Sequence, residues 1–134
     1  MKNERLKVEI KTTVKHKGNP RGTGHAEATV IFIDHKGGRH ERKVEVDSEN
    51  DTKNALTLTV INDALKILIK PCNVVLQLDN EYIKHCVNNG WLDNWQQREW
   101  KKANGKVPAN LKLWKTLYIS LKIHNVKFVK EVTE

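Results

Sequence analysis

The run from Asp51 to Asp79, DTKNALTLTVINDALKILIKPCNVVLQLD, carries the reading that decides the fold. Within it Leu58, Ile61, Leu65 and Leu68 fall three, four and three residues apart, which places them on one face of a helix. Asp51 stands where a cap for the first turn is needed, and Pro71 forces a stop shortly after Ile69. The run Cys72 to Leu78 is short, apolar and rich in branched residues, so it reads as a buried strand. Strand, helix and strand in this order imply a right-handed crossover between parallel neighbours, and hence a mixed sheet.

Upstream, Leu6, Val8 and Ile10 alternate with charged residues from Arg5 to Val14, the period of a half-buried strand. A second strand runs from Ala26 to Ile33. Asp34-His35-Lys36-Gly37-Gly38 supplies a turn, and a third strand from Arg39 to Asp47 turns Val44 and Val46 inward. Downstream, Tyr82, Ile83, Cys86 and Val87 mark one face of a short helix from Asn80 to Asn89, with Asp79 as its expected cap. A helix dense in tryptophan and base follows from Trp91 to Lys102. Beyond an interruption at Asn104 to Pro108, Trp114, Leu117, Tyr118 and Leu121 define a further helix, and the stretch from Ile123 to Val129 a closing strand. The order is β-β-β-α-β-α-α-α-β, one α/β domain over residues 1–134.

Composition narrows the partners. The 134 residues carry 38% hydrophobic and 30% charged residues, enough of both for one folded domain. Lys and Arg number 24 against 16 Asp and Glu, a net charge of +8 that favours a polyanion such as nucleic acid. No apolar run is long enough to cross a bilayer, and Met1-Lys2-Asn3-Glu4-Arg5 lacks a signal peptide's apolar block, so a cytoplasmic location is expected and no membrane partner. Cys72 and Cys86 are expected to be reduced and packed. The six histidines form no metal-binding spacing with cysteine or acid, and neither a zinc site nor a cofactor is expected.

Taken in order, these residues resemble the type 1 ribonucleases H over nearly the whole chain. Gly18-Asn19-Pro20 resembles that family's Gly-Asn-Pro turn, and Leu76-Gln77-Leu78-Asp79-Asn80-Glu81-Tyr82-Ile83 its Leu-x-Thr-Asp-Ser-x-Tyr-Val. The stretch Gly90-Trp91-Leu92-Asp93-Asn94-Trp95-Gln96-Gln97-Arg98-Glu99-Trp100-Lys101, followed by Val107, Asn110, Leu111, Leu113 and Trp114, resembles the family's substrate-gripping basic handle. The resemblance implies a ribonuclease-H-like fold: a five-stranded mixed sheet, three antiparallel strands and then parallel ones, with helices on its faces. It also implies an RNA–DNA hybrid as ligand. The sequence reaches Glu134 without the family's C-terminal helix or the histidine-containing loop before it.

Active members of that family use four acidic residues to hold two divalent metals, Mg²⁺ or Mn²⁺. Two dications about 3.5–4 Å apart stay together only among clustered carboxylates. The family's first acid falls on Thr13 and its second on Asn54, or on Ala55 with a slip of one. The third matches Asp79. The fourth belongs to the C-terminal helix. Asp79 is therefore the one surviving acid and the only expected metal ligand, no catalytic set is complete, and the chain is expected to bind nucleic acid without cleaving it.

The residues expected to carry that binding are Lys15 and Asn19 near the first turn, and Arg98, Lys101, Lys102, Lys106 and Asn110 in the handle, where the cations neutralise phosphates. Trp91, Trp95 and Trp114 either brace the groove or pack the helices together. Two other readings stand beside this one. The chain is an active ribonuclease H rebuilt with Asp51, Glu131, Glu134 or a partner chain's acid, or it is a scaffold that binds an acidic protein or a second copy of itself.

Overall fold

The computed structural model describes residues 5–101 and 109–130. Three strands open the chain, β1 (Leu6–Gly18), β2 (Arg21–Ile33) and β3 (Arg39–Thr52). They pair antiparallel, with Ile10 opposite Val30 and Ala28 opposite Val44. All three run past the alternating apolar stretches that define them in sequence. Beyond Val14, Lys15 to Gly18 still pair with His25 to Gly22, because a backbone ladder needs no apolar face to continue. A register shift lies between Gly22 and Gly24, where a β-carbon on Gly24 would stand 2.5 Å from the Leu56 side chain and 2.9 Å from the Lys15 carbonyl. Only glycine admits that approach, at the place where the ladder is irregular.

Helix α1 (Lys53–Lys66) crosses to β4 (Cys72–Gln77), which lies parallel to β1 with Ile10 opposite Leu76. Its cap is Thr52, whose hydroxyl accepts from the Ala55 N–H at 3.1 Å, and not Asp51. β3 extends through Thr52, so the first residue free to cap is one later than the polar run suggested. Asp51 instead accepts from the Ser48 hydroxyl at 2.6 Å. The helix ends at Lys66, with Ile67 as its C-cap, rather than shortly after Ile69, so Leu68 lies beyond it. Leu58, Ile61 and Leu65 are buried as their spacing implies, and so are Leu56, Val60 and Ala64. The extra burial reflects two neighbours, the sheet on one side and α4 (Leu111–Ile123) on the other. Asn62 joins that contact by donating to the Leu113 carbonyl at 3.1 Å.

The chain then forms α2 (Glu81–Asn88), α3 (Trp91–Gln97), α4 and β5 (Asn125–Val129), with β5 parallel to β4. The five-stranded sheet has the order β3-β2-β1-β4-β5. Val8, Ile10, Ala26, Ala28, Val30, Val74 and Leu76 line its core face. The alternate residues of β1, β2 and β3, among them Lys11, Thr13, Lys15, His25, Glu27, Lys43, Glu45 and Asp47, point to the opposite face. No helix among the described residues is long and apolar enough to cross a membrane.

Candidate functional site

A pocket of about 220 Å³ opens where β4 ends, β1 passes and α1 begins, lined by Thr12, Thr13, Val14, Lys53, Thr57, Leu78, Asp79 and Asn80. Its walls follow from register. Lys11 pairs with Gln77, so two residues further along come Thr13 on one chain segment and Asp79 on the other. Thr12 ties the segments together: its N–H donates to Gln77 Oε1 at 3.0 Å and its hydroxyl to the Gln77 carbonyl at 2.9 Å.

Asp79 is exposed and does not cap α2. The cap is Asn80, whose Oδ1 accepts from the Ile83 N–H at 3.0 Å while its Nδ2 donates to Asn54 Oδ1 at 2.7 Å. Asn80 is still extended, at φ −76° and ψ 104°, and α2 begins only at Glu81, so the capping role falls to Asn80. The Asp79 carboxylate makes no hydrogen bond or ion pair with another described residue.

These residues do not fit a pair of dications. Thr13 offers a hydroxyl, the Asn54 carboxamide is engaged by Asn80, and Lys53 brings an ammonium into the lining. Among the described residues one carboxylate, Asp79, lines the pocket, and a single exposed carboxylate cannot offset the repulsion of two ions. Asp51 does not line the pocket. Glu131 and Glu134 lie outside the described residues.

The handle is built from α2, α3 and the start of α4. Gly90, in the left-handed region at φ 72°, turns the chain between α2 and α3. Helix α3 stops at Gln97, well short of Lys102, because Glu99 and Trp100 adopt φ values of 56° and 65°. That turn lays Trp100 edge-on to Tyr118 at 5.4 Å, with the Lys115 ammonium 5.8 Å from the Trp100 ring. Trp114 is 1% exposed and Trp95 6%, and they meet edge to face at 5.5 Å. Direct stacking of a base on either ring is therefore excluded, and both act as packing. Trp91 is 36% exposed and reaches Trp95 at 6.3 Å and His85 at 5.0 Å. Around this packed aromatic group Arg98, Lys101 and Lys112 stand exposed. Asn110 precedes α4 with φ 63° and makes no side-chain cap, so its amide is not committed to the helix. Lys15 is exposed on β1, and Asn19 is exposed in a turn with a cis Asn19–Pro20 bond. Lys102 and Lys106 lie outside the described residues.

Two polar arrangements escaped the sequence pattern. On β2 and β3, His25 Nδ1 meets Asp47 Oδ1 at 2.6 Å, and His25 Nε2 lies 3.0 Å from Glu27 Oε1 and 3.9 Å from Glu45 Oε1. The hydrogen bonds to Glu27 and Asp47 raise the His25 pKa, and the bond to His25 lowers that of Glu27. The signal was a His-x-Glu in one strand and a Glu-x-Asp in the next, silent until their register is known. The second is His124, 5% exposed, whose Nδ1 accepts the Cys72 N–H at 3.0 Å where β4 begins. Burial lowers its pKa.

The solved structures most like this fold include LC9-RNase H1, described as a type 1 RNase H with the type 2 active-site motif, at TM-score 0.78 and 24% identity over 96% of this chain and 64% of that one. A foamy viral protease–reverse transcriptase in complex with RNA/DNA hybrid superposes at TM-score 0.66 and 14% identity over 98% of this chain and 18% of that one. Among sequences, the Ribonuclease H of Clostridium botulinum is 36% identical over 93 residues, 69% of this chain and 62% of that protein. The chain thus spans less than two thirds of that relative's length. The Ribonuclease H of Caldanaerobacter subterraneus is 35% identical over 130 residues, 97% of this chain and 81% of that protein. The likeness extends from the first strand through the handle to the last strand, and the sequence profile of the RNase H family matches residues 5–131; the chain belongs to the ribonuclease H family.

Proposed function

We propose that this chain is a ribonuclease H domain that binds nucleic acid, an RNA–DNA hybrid or other duplex, through its basic handle and does not hydrolyse it. The observation that carries this reading is the pocket beside Asp79, whose lining holds one carboxylate among the described residues and the Lys53 ammonium; the resemblance puts the family's first acid on Thr13 and its second on Asn54 or Ala55. Support for the ligand comes from the net charge of +8 and from Arg98 and Lys101, exposed cations at the end of α3. Such contacts fix position through phosphates and carry little sequence information. A hybrid titrated with the chain is expected to shift in a gel, to release steeply as salt rises, and to stay intact in Mg²⁺ and Mn²⁺.

The second reading is an active ribonuclease H. It is favoured by relatives at 35–36% identity that carry the name Ribonuclease H, and it requires acids beyond Asp79. Cleavage that depends on the metal and on Asp79 would establish it. Absence of both binding and cleavage would favour a scaffold for an acidic protein partner or a second copy of the chain.

A further inference from the structure

We propose that His25, Glu27 and Glu45 form a binding site for one Zn²⁺-class dication on the sheet face opposite the core, with Asp47 orienting the imidazole. The ligand atoms, one from each residue, lie within 4.8 Å of one another. A tetrahedral zinc with bonds of about 2.0–2.1 Å needs neighbouring ligands about 3.3 Å apart. The His25–Glu27 and His25–Glu45 separations of 3.0 and 3.9 Å bracket that value. Glutamate side chains close such gaps by rotation about their own bonds, without backbone movement.

Strand register sets the spacing of the group. His25 and Glu27 are two apart on β2 and share a face, Glu45 lies opposite Glu27 in register, and Asp47 lies opposite His25. The Nδ1–H of His25 donates to Asp47 at 2.6 Å, which turns Nε2 toward the two glutamates. A carboxylate behind a histidine is the arrangement that fixes the tautomer of a metal-binding imidazole. An imidazole with two carboxylates selects Zn²⁺ over Mg²⁺ or Ca²⁺, which prefer oxygen alone, and three protein ligands leave a fourth position for water.

The competing occupant is also visible. The Lys43 ammonium stands 3.4 Å from Glu27 and 3.7 Å from Glu45, so an arriving dication displaces it and also displaces to solvent the Nε2 proton that His25 donates to Glu27. The site shares no residue with the pocket beside Asp79, although Glu27 pairs with Thr13 across β1 and β2. The inference does not depend on whether the chain binds or cleaves nucleic acid.

The test is calorimetric titration of the whole chain with Zn²⁺ near neutral pH. One ion per chain is expected. His25→Ala should abolish the binding, Asp47→Asn should weaken it about 10–100-fold, and Lys43→Met should tighten it by removing the competitor. Circular dichroism of each variant verifies that it is folded. His40→Ala, which removes the imidazole bonded to Asp34 at 2.7 Å elsewhere on the surface, should leave binding intact. No uptake of Zn²⁺, uptake undiminished in folded His25→Ala, loss in His40→Ala, or equal competition by Mg²⁺ would each overturn the proposal.

Discussion

The handle and the pocket beside Asp79 are the two regions that the proposed function assigns to a nucleic acid, and they divide their work differently. In the handle the residues that hold shape are separate from those that carry charge: Trp95 and Trp114 are buried, while Arg98 and Lys101 are exposed and rest on that packing. In the pocket one small polar group does both. Asn80 caps α2, holds Asn54 and forms part of the lining, and Thr12 both joins β1 to β4 and faces the cavity. The exposed cations Arg98 and Lys101 can therefore change at little cost to the fold, whereas Asn80 and Thr12 in the pocket are also structural.

The largest expected effect is in the handle's interior. Trp114→Ala removes a fully buried ring from the contact between the helices and should cost about 3–5 kcal/mol in denaturant unfolding. If it cost under about 1 kcal/mol, packing would not be what holds the handle. In the pocket, Asn80→Ala removes the cap on Ile83 and the bond to Asn54 together and should cost about 1–2 kcal/mol. Asp79→Asn in the same region should fall within about 0.5 kcal/mol of the parent, because that carboxylate supports nothing in the fold. A larger loss would mean that Asp79 is structural after all.

Arg98→Ala sharpens the comparison from the other side. Its melting temperature should match the parent's, while the slope of log affinity for a duplex against log salt should fall by about 1. A mild acid titration probes the far end of β4. His124 accepts the Cys72 N–H as a neutral imidazole, and burial holds its folded pKa below the ordinary value. Its contribution to stability is present above the unfolded histidine pKa and is lost as the pH falls through the lowered folded one. His124→Gln should flatten that part of the stability profile, and a profile identical to the parent's would remove His124 from the account.

The fold was legible because its signals are periodic. Leu58, Ile61 and Leu65 on α1 and the alternating Val8 and Ile10 on β1 announce their buried faces directly, and the order of elements does the rest. Helix ends were less legible. Asp51 and Asp79 are both good capping residues beside better-placed ones, and only where the backbone turns helical decides that Thr52 and Asn80 do the capping. Near the pocket, Thr13 and Asn54 were singled out by the resemblance of motifs, but the bond that engages Asn54 could not be read that way. The His25 group was invisible, because 20 residues separate His25 from Glu45 and only the pairing of β2 with β3 makes them neighbours. Patterns local in sequence were readable; contacts made by register were not.

The most direct test of the central claim is a single-turnover assay, with excess protein on an end-labelled RNA–DNA hybrid in Mg²⁺ and in Mn²⁺, and with Asp79→Asn run alongside. The account predicts a bound hybrid with its RNA strand intact and no difference between parent and variant. Metal-dependent RNA fragments from the parent that vanish in Asp79→Asn would contradict it, and would mean that the chain completes a catalytic centre around this one carboxylate.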